Sequence, residues 1–327
     1  MRLGRTGLHI SQVILGCGNF GGVGSAPELF ERGESEAEAT TVMDRAYELG
    51  INVFDTANSY GGGASEAMIG RWLAHKGPRV RDQIVIMTKV GNPVTEAPND
   101  RGLSRRHILQ QVDASLARLG VDAIDLYLLH ECDPHTSLEE TLSTFNDLIA
   151  AGKVCYIGAS NIRAWVAAKA LGISERYGLA RFELIENSYN LLDRIDEDEM
   201  LPLVADQNLG YTPFGPFAGG FLAGSYREGE SYPSGSRMTL RPEPYQRFAR
   251  QEIWRKLDIF AEFARDRKVS MASLALAWLL AHDRVTAPIV GPSCESDFEA
   301  VRQALTLEIG PDEHACIGAL FRTDSEY

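Results

Sequence analysis

Four titratable residues stand at the ends of apolar runs in this sequence. Asp55 ends the run that starts at Asn52, and Tyr60 follows five residues later. The next two such runs lead directly into Thr88–Lys89 and His130. Taken singly, each has a simpler explanation, such as a loop cap, a rim lysine, a packed aromatic or a core histidine. Because the carboxyl ends of parallel strands meet on one side of a sheet, the four together predict a shared active site.

These residue types suit one kind of chemistry. A lysine beside a phenol favours the phenolate, so we expect Lys89 to lower the pKa of Tyr60 below its usual value of about 10. Asp55 would keep that lysine charged and oriented. Tyr60 could then protonate a developing alkoxide, while His130 polarises or orients a carbonyl group. Alkoxide formation without a metal predicts hydride addition to an aldehyde or ketone, and therefore a nicotinamide cofactor.

Eight short apolar runs are spaced so that they would carry these residues on successive strands. Most are apolar throughout, which is typical of parallel strands buried on both faces, and their spacing is roughly 30 residues, the length of one strand–helix unit. The runs are Val13–Gly16, Asn52–Asp55, Ile84–Met87, Asp125–Leu129, Val154–Ile157, Phe182–Ile185, Leu209–Tyr211 and Ala287–Val290. We therefore predict an α/β fold, a (β/α)₈ TIM barrel in which residues 1–327 form a single domain.

The ends of several helices between these runs are visible in the sequence. Ser35 and Glu38 have the spacing of a capping box, and Gly50 is placed to end the helix that follows. Ser104 and Ser137 are predicted to begin two further helices as N-caps.

Two segments depart from the alternation of strands and helices. Met1–Ile10 predicts a small β-hairpin that turns at Arg5–Gly7. Gly215–Tyr245 is rich in glycine, proline and serine and shows no periodicity. So long a connection after the seventh strand of a compact domain predicts a functional loop.

The composition excludes several classes of protein. The 327 residues include 32 Lys and Arg against 45 Asp and Glu, which gives a net charge of −13. A negative field repels nucleic acids and anionic membranes, so we expect neither as a partner. The longest apolar run, Leu274–Ala281, is too short to span a bilayer. Five widely spaced cysteines without a CxxC pattern, and an amino terminus unlike a signal peptide, predict a cytoplasmic protein.

A glycine motif after the first run suggests a different fold. Gly16–Gly21 satisfies the GxGxxG pattern. In a Rossmann fold this pattern binds dinucleotides because its last glycine opens a helix. Residues Gly22–Pro27 cannot start a helix directly, so we favour a glycine-rich loop at the mouth of the first strand.

A second motif, His130–His135, contains several possible metal ligands. Neighbouring side chains on an extended turn diverge, whereas a metal site needs converging ligands. The sequence also has no second pair of histidines at helical spacing. We therefore expect no metal, which disfavours a metal-dependent barrel hydrolase.

Taken in order, the motifs of this chain resemble those of the aldo-keto reductase family. The resemblance extends over essentially the whole chain, and the ordered set is far more specific than any one segment. The segments that carry it are Leu3–Leu8, Phe54–Gly61, Thr88–Lys89, Leu128–His130, Gly152–Val154, Ile157–Asn161 and Tyr189–Leu192. The glycine-rich loop and Gly235–Arg237 are most similar to the branch that contains bacterial general reductases and potassium-channel β-subunits.

The resemblance implies a barrel that reduces small aldehydes or ketones with NAD(P)H. Tyr60 would be the proton donor, Lys89 and Asp55 would tune it, and His130 would orient the carbonyl; Asp55 would also contact the nicotinamide riboside. The further implied cofactor contacts are Ser160, Asn161 and Glu186 on the carboxamide, Tyr211 stacked on the nicotinamide, and Thr212, Pro213 and Phe214 beneath the pyrophosphate. A cofactor-binding regulatory subunit of the channel-β type is the alternative function.

The chain departs from the family pattern at the nicotinamide end. The family usually has a glutamine three residues before the tyrosine of Tyr189–Leu192, and this chain has Glu186 there. The change alters the hydrogen-bond donors that face the carboxamide.

A second departure concerns the 2′-phosphate of NADP. The family often grips this phosphate with an Arg or Lys after the eighth strand, whereas the implied contacts here are Gly291, Ser293 and Asp297. Glu295 and Asp297 would repel a phosphate unless they point away. Arg237 is either the compensating phosphate ligand or a solvated loop arginine. We favour NADP(H) as the cofactor, with NAD(H) as the competitor.

The substrate would be a small carbonyl compound or the corresponding alcohol. The predicted pocket residues are Phe20, Asn58, Glu131, Cys132 and the loop around Phe217. Their mixed aromatic and polar character is compatible with many carbonyl compounds.

Overall fold

A sheet of eight parallel strands forms the centre of the computed structural model, which describes residues 1–295 and 297–322. The strands are β1 (Ile14–Gly16), β2 (Val53–Asp55), β3 (Val85–Val90), β4 (Ile124–Leu129), β5 (Val154–Ser160), β6 (Phe182–Glu186), β7 (Gly210–Tyr211) and β8 (Ile289–Val290). Their spatial order is β7-β6-β5-β4-β3-β2-β1-β8. Each predicted apolar run contributes one strand, which confirms the predicted α/β fold with eight parallel strands.

The two ends of this strand order lie close together. The backbone amide of Thr286 donates to the carbonyl of Tyr211 at 2.8 Å, and that of Ile289 donates to the carbonyl of Pro213 at 2.8 Å. These bonds connect the segment around β7 to β8. They are consistent with closure of the sheet into a (β/α)₈ barrel.

Helices separate the strands, and their observed starts agree with the predicted caps. Ser35 accepts a bond from the amide of Glu38, whose carboxylate accepts from the amide of Ser35 at 2.8 Å. Ser104 and Ser137 cap their helices through their hydroxyl oxygens. The described part of the chain contains α1 (Glu36–Glu48), α2 (Ala64–Lys76), α3 (Pro78–Arg81), α4 (Arg105–Leu119), α5 (Leu138–Ala150), α6 (Ala164–Tyr177), α7 (Met200–Gln207), α8 (Arg237–Leu240), α9 (Gln251–Asp266), α10 (Met271–Leu280), α11 (Asp297–Thr306) and α12 (Pro311–Phe321). In these described ranges, every helix is too short or too polar to cross a membrane.

The strands contribute side chains alternately to two apolar cores. The larger core lies between the sheet and the helices and includes Phe54 and Ile86. The smaller core contains strand residues together with the amino-terminal segment, and its buried members are Leu3, Ile10, Ile14, Val53, Val85, Met87, Leu126, Leu128, Leu184, Ala287 and Ile289. Side chains alternate with a period of two. The next inward-facing residue on each strand, at or just beyond its carboxyl end, therefore belongs to a polar set. Its members are Asp55, Lys89, His130, Ser160 and Glu186.

The first ten residues fold back on themselves at the amino-terminal end of the sheet. Arg2 and His9 form an antiparallel bridge, and the amide of Leu3 donates to the carbonyl of Leu8 at 3.0 Å. Leu3 and Ile10 belong to the inner core.

The segment after β7 is more ordered than its composition suggests. Within it lie a 3₁₀ helix at Ala218–Ala223, the short helix α8 and a second 3₁₀ helix at Gln246–Phe248. The segment predicted as a long loop, Gly215–Tyr245, therefore contains two short helical segments, Ala218–Ala223 and α8. Gly219 and Gly220 have positive φ, which breaks the periodicity that a helix would leave in the sequence.

Candidate active site

Lys89 is the centre of a buried cluster of charged groups. Its side chain is fully buried, and its ammonium group donates to Asp55 in a short ion pair. The same Nζ atom donates to the carbonyl of Thr56 at 3.1 Å and lies 3.2 Å from Oε1 of Glu186. The period-two alternation of β2, β3 and β6 explains why these groups meet, since all three occupy inward positions at the carboxyl ends of their strands.

The charges of the cluster depend on one another. Burial alone would lower the pKa of Lys89, but Asp55 and Glu186 raise it above the ordinary lysine value, so the ammonium stays charged. Burial raises the pKa of Asp55 against the opposing effect of Lys89. Burial and the neighbouring Asp55 raise the pKa of Glu186 to about 8. One lysine therefore holds two carboxyl groups that compete for it.

Tyr60 lies beside this lysine, as the sequence predicts. It begins a short turn, Tyr60–Gly63, and Nζ of Lys89 is 5.3 Å from the centre of its ring. The expected lowering of its pKa is wrong: burial raises the pKa of Tyr60 to about 12, although Lys89 acts in the expected direction. Near neutral pH the phenol therefore keeps the proton that a general acid needs.

His130 follows β4 and faces Tyr60. The two ring centres are 5.5 Å apart, with an angle of 81° between the ring planes. Burial, together with the cations Lys89 and Arg241, lowers the pKa of His130 to about 3. Its Nδ1 atom is buried without a hydrogen-bond partner among the described residues. The imidazole is therefore neutral at physiological pH.

Ser160 and Asn161 form the corner at the end of β5. Asn161 adopts a left-handed backbone conformation with φ of 51°. Its side-chain amide donates to the carbonyl of His130 at 2.9 Å and to the hydroxyl of Ser160 at 3.1 Å. These bonds place both residues against His130, within the site that the sequence predicts.

The segment that begins at Tyr211 forms the wall next to β6. Tyr211 is fully buried, and its hydroxyl donates to Asp196 at 2.8 Å, which fixes the position of its ring. Pro213 bonds to β8, as described above, and the amide of Phe214 donates to the carbonyl of Asn187 at 3.0 Å. The hydroxyl of Thr212 is buried and has no partner in the described residues.

Arg237 is fixed by contacts that the sequence did not reveal. Its guanidinium donates to the side chain of Asn19 at 2.5 Å, and the amide of Asn19 donates to Glu34 at 3.4 Å. Burial raises the pKa of Glu34, whereas a hydrogen bond from Ser293 acts in the opposite direction. Asn19 and Glu34 therefore connect Arg237 to the loop after β8.

The carboxylate of Asp297 is engaged by its own loop. It accepts from the amide of Ser293 at 2.8 Å and from that of Cys294 at 3.3 Å. A Cβ atom added to Gly291 would lie 3.6 Å from the carbonyl of Gly16, so the loop packs closely against the end of β1. Asp297 thus fixes the backbone at Ser293 and Cys294.

The predicted pocket residues are not brought together on one surface. Asn58 is fully buried, and its amide donates to Gln111 of α4 at 3.0 Å, in the direction of the helical layer. Phe20 is buried in the larger core. Glu131 is exposed, whereas Cys132 is half-buried. The amide nitrogen of Asn58 therefore contacts α4, whereas its Oδ1 atom has no hydrogen-bond partner among the described residues.

Several unpartnered polar atoms bear on which group could bind here. Among the described residues, Oε2 of Glu186, Nδ1 of His130 and Oγ1 of Thr212 are buried without hydrogen-bond partners. Such atoms are costly unless a ligand or water satisfies them, so the residues fit a polar ring such as a nicotinamide. In the same part of the chain, no three His, Cys, Asp or Glu side chains are grouped as metal ligands would be.

Comparison with known proteins identifies the class to which this site belongs. The aldo/keto reductase family model matches residues 12–321. The chain is 37% identical over 315 residues to the oxidoreductase YrpG of Bacillus subtilis (strain 168), a match that covers 94% of this chain and 91% of that protein. It is 34% identical over 336 residues to a versiconal hemiacetal acetate reductase of Aspergillus parasiticus, a match that covers 95% of this chain and 94% of that protein. The chain therefore belongs to the aldo/keto reductase family, and it is an NAD(P)-dependent oxidoreductase.

Proposed function

We propose that this protein interconverts small aldehydes or ketones and their alcohols, with Tyr60 as the proton donor in the direction of reduction. The observation that carries the proposal is the buried cluster in which Lys89 lies beside a phenol and is held by carboxyl groups. Membership of the aldo/keto reductase family supports carbonyl reduction in general. A bound nicotinamide cofactor would supply the hydride that forms the new carbon–hydrogen bond.

The side chains of the cluster account for the other steps. The neutral ring of His130 can donate a hydrogen bond to the carbonyl oxygen and so orient the substrate. As that oxygen gains negative charge, the hydroxyl of Tyr60 donates its proton to it. Lys89 stabilises the phenolate that remains until Tyr60 recovers a proton from solvent. In the direction of oxidation, the same phenolate accepts the proton of the alcohol.

We favour NADP(H) as the cofactor, with NAD(H) as the alternative. Arg237 supports NADP(H), since Asn19 holds it near the loop after β8 and a guanidinium suits the two-pronged binding of a phosphate. The residues that would hold the nicotinamide end are Asp55, Ser160, Asn161, Glu186, Tyr211 and Thr212.

Replacement of Tyr60 by phenylalanine tests the proposal. We expect Tyr60→Phe to lower turnover about 10²–10⁴-fold, because the proton donor is lost, and to leave the cofactor affinity within about twofold. Stopped-flow oxidation of the reduced cofactor by a panel of aldehydes measures the first quantity, and fluorescence quenching measures the second.

Tyr127→Phe is a matched control for this experiment. The hydroxyl of Tyr127 is buried in the larger core, without a partner among the described residues, so its removal should leave turnover unchanged. Wild-type turnover in Tyr60→Phe would refute the assigned role. If the wild-type protein binds the cofactor but none of the aldehydes oxidises it, the regulatory alternative is favoured.

A further inference from the structure

Glu186 adds a second ionisable carboxyl group to a lysine that already has one. Its Oε1 atom lies 3.2 Å from Nζ of Lys89, which also donates to Asp55, and its side chain is 3% exposed. Its Oε2 atom has no partner among the described residues. A carboxyl group that keeps one oxygen free in a buried site can exist there with or without a proton on that oxygen.

The groups around Glu186 come from every neighbouring strand. Ser160, at the end of β5, forms a hydrogen bond with its carboxyl group. Lys89 on β3 and Asp55 on β2 supply one positive and one negative charge. Tyr60 follows β2 and is neutral near physiological pH, since its pKa is raised to about 12 by burial.

The remaining neighbours carry no charge in the relevant pH range. Burial and nearby cations lower the pKa of His130, after β4, to about 3. From β7, the hydroxyl of Tyr211 is directed at Asp196, and burial raises its pKa. The net charge of Asp55, Lys89 and Glu186 together is therefore −1 when Glu186 is ionised and zero when one carboxyl group is protonated.

We propose that Glu186 makes the preference between oxidised and reduced nicotinamide depend on the protonation of this cluster; the inference rests on the proposed function. The oxidised nicotinamide ring carries one more positive charge than the reduced ring. A buried site of net charge −1 therefore binds the oxidised form more tightly, and the neutral, protonated site favours the reduced form. Through Glu186, the pH would bias the enzyme between alcohol oxidation and carbonyl reduction.

The relevant pH range follows from the same contacts. Burial and Asp55 raise the pKa of Glu186 to about 8, and the proton is shared with Asp55 because the two carboxyl groups compete for one lysine. Binding of the oxidised cofactor near pH 8 should therefore expel this proton. A glutamine at the same position, the residue usual in the family, would keep the site neutral throughout.

Cofactor titrations of the wild-type protein and of Glu186→Gln test this inference. NADP⁺ and NADPH are titrated separately at pH 6.5, 7.5 and 9, and the ratio of the two dissociation constants is compared. Both forms carry the 2′-phosphate, so the effect of its titration on binding cancels in the ratio. In the wild-type protein, NADP⁺ should gain about tenfold relative to NADPH between pH 6.5 and 9. In Glu186→Gln the ratio should change by less than about twofold.

Glu183→Gln provides a matched control on the same strand. Glu183 pairs with the exposed Arg5 at 3.2 Å and has no ion pair with Lys89 among the described residues, so this variant should retain the wild-type pH dependence. A second measurement needs no variant: calorimetry in two buffers of different ionisation enthalpy should detect proton release when wild-type protein binds NADP⁺ near pH 8, and less release with NADPH.

The outcomes separate the two proposals. A ratio independent of pH in the wild-type protein, or a full pH dependence in Glu186→Gln, would overturn the role of Glu186 while the proposed function stands. NAD⁺ and NADH are titrated as further probes. If the wild-type protein binds none of the four nucleotides, the proposed function fails, and this inference fails with it.

Discussion

Replacement of Lys89 by methionine should destabilise the protein, and the loss should grow with pH. Methionine matches the length of the lysine stem but removes the charge that two buried carboxyl groups share. Without it, Asp55 must either remain ionised in the interior or take up a proton. Breaking a buried ion pair by removing one partner typically costs about 3–5 kcal/mol.

The pH dependence can be worked out from the carboxyl group that is left behind. In the variant the folded state raises the pKa of Asp55 far above its unfolded value of about 3.9, and such a group destabilises the fold increasingly as the pH rises above that value. Keeping Asp55 protonated in the folded state costs about 1.36 kcal/mol of stability for each pH unit above its unfolded pKa. This cost is at most about 6 kcal/mol at pH 8.5 and about 2 kcal/mol at pH 5.5. We therefore expect Lys89→Met to lose about 3–5 kcal/mol at pH 8.5 and about 2 kcal/mol at pH 5.5.

Urea unfolding at the two pH values, followed by circular dichroism, measures this loss. Lys153→Met is the matched control, because Lys153 pairs with Asp113 at 2.6 Å while 39% and 62% of the two side chains are exposed. That variant should lose less than about 1 kcal/mol at either pH. A loss below about 1 kcal/mol for Lys89→Met at pH 8.5, or equal losses at both pH values, would refute the reasoning.

Two further predictions concern Arg237 and Ser35. Arg237→Ala should weaken NADPH binding at least about tenfold and leave NADH binding unchanged, because only NADPH carries the phosphate that Arg237 would bind. Fluorescence titration checks this, with the exposed Arg265→Ala as control, and an unchanged NADPH affinity would exclude the role. Ser35→Ala should lower the free energy of unfolding by about 1 kcal/mol, since it removes the cap of α1. An unchanged urea midpoint would contradict the contribution of that cap.

The strand and cap positions were predictable because they depend on local patterns. Apolar runs at regular spacing identify β1 to β8, and Ser35 with Glu38 identifies the start of α1. The position of the charged cluster was largely predictable for a related reason, since a period of two places Asp55 and Lys89 on the inward side of neighbouring strands.

Other features depend on contacts that no local pattern records. Arg237 and Asn19 are 218 residues apart in the chain, so their hydrogen bond could not be read from either segment. The pKa of Tyr60 was predicted with the wrong sign because the sequence shows the neighbouring charge but not the depth of burial. The hydrogen bond from Asn58 to Gln111 of α4 likewise joins residues 53 positions apart, so neither local pattern indicates it.

The composition of the inner core favours a chemical role for the charged cluster over a structural one. Val53, Met87 and Leu184 fill the inward positions two residues before Asp55, Lys89 and Glu186. A further apolar layer at the latter positions would continue the same packing. Replacing a buried ionic group entirely by apolar side chains is often neutral or stabilising, whereas removing one member is costly. Stability therefore does not require three charged groups where the core ends. Their place at the carboxyl ends of the strands is what the proposed proton transfer at Tyr60 requires. The proposed control of the charge that the cofactor meets accounts for the second carboxyl group.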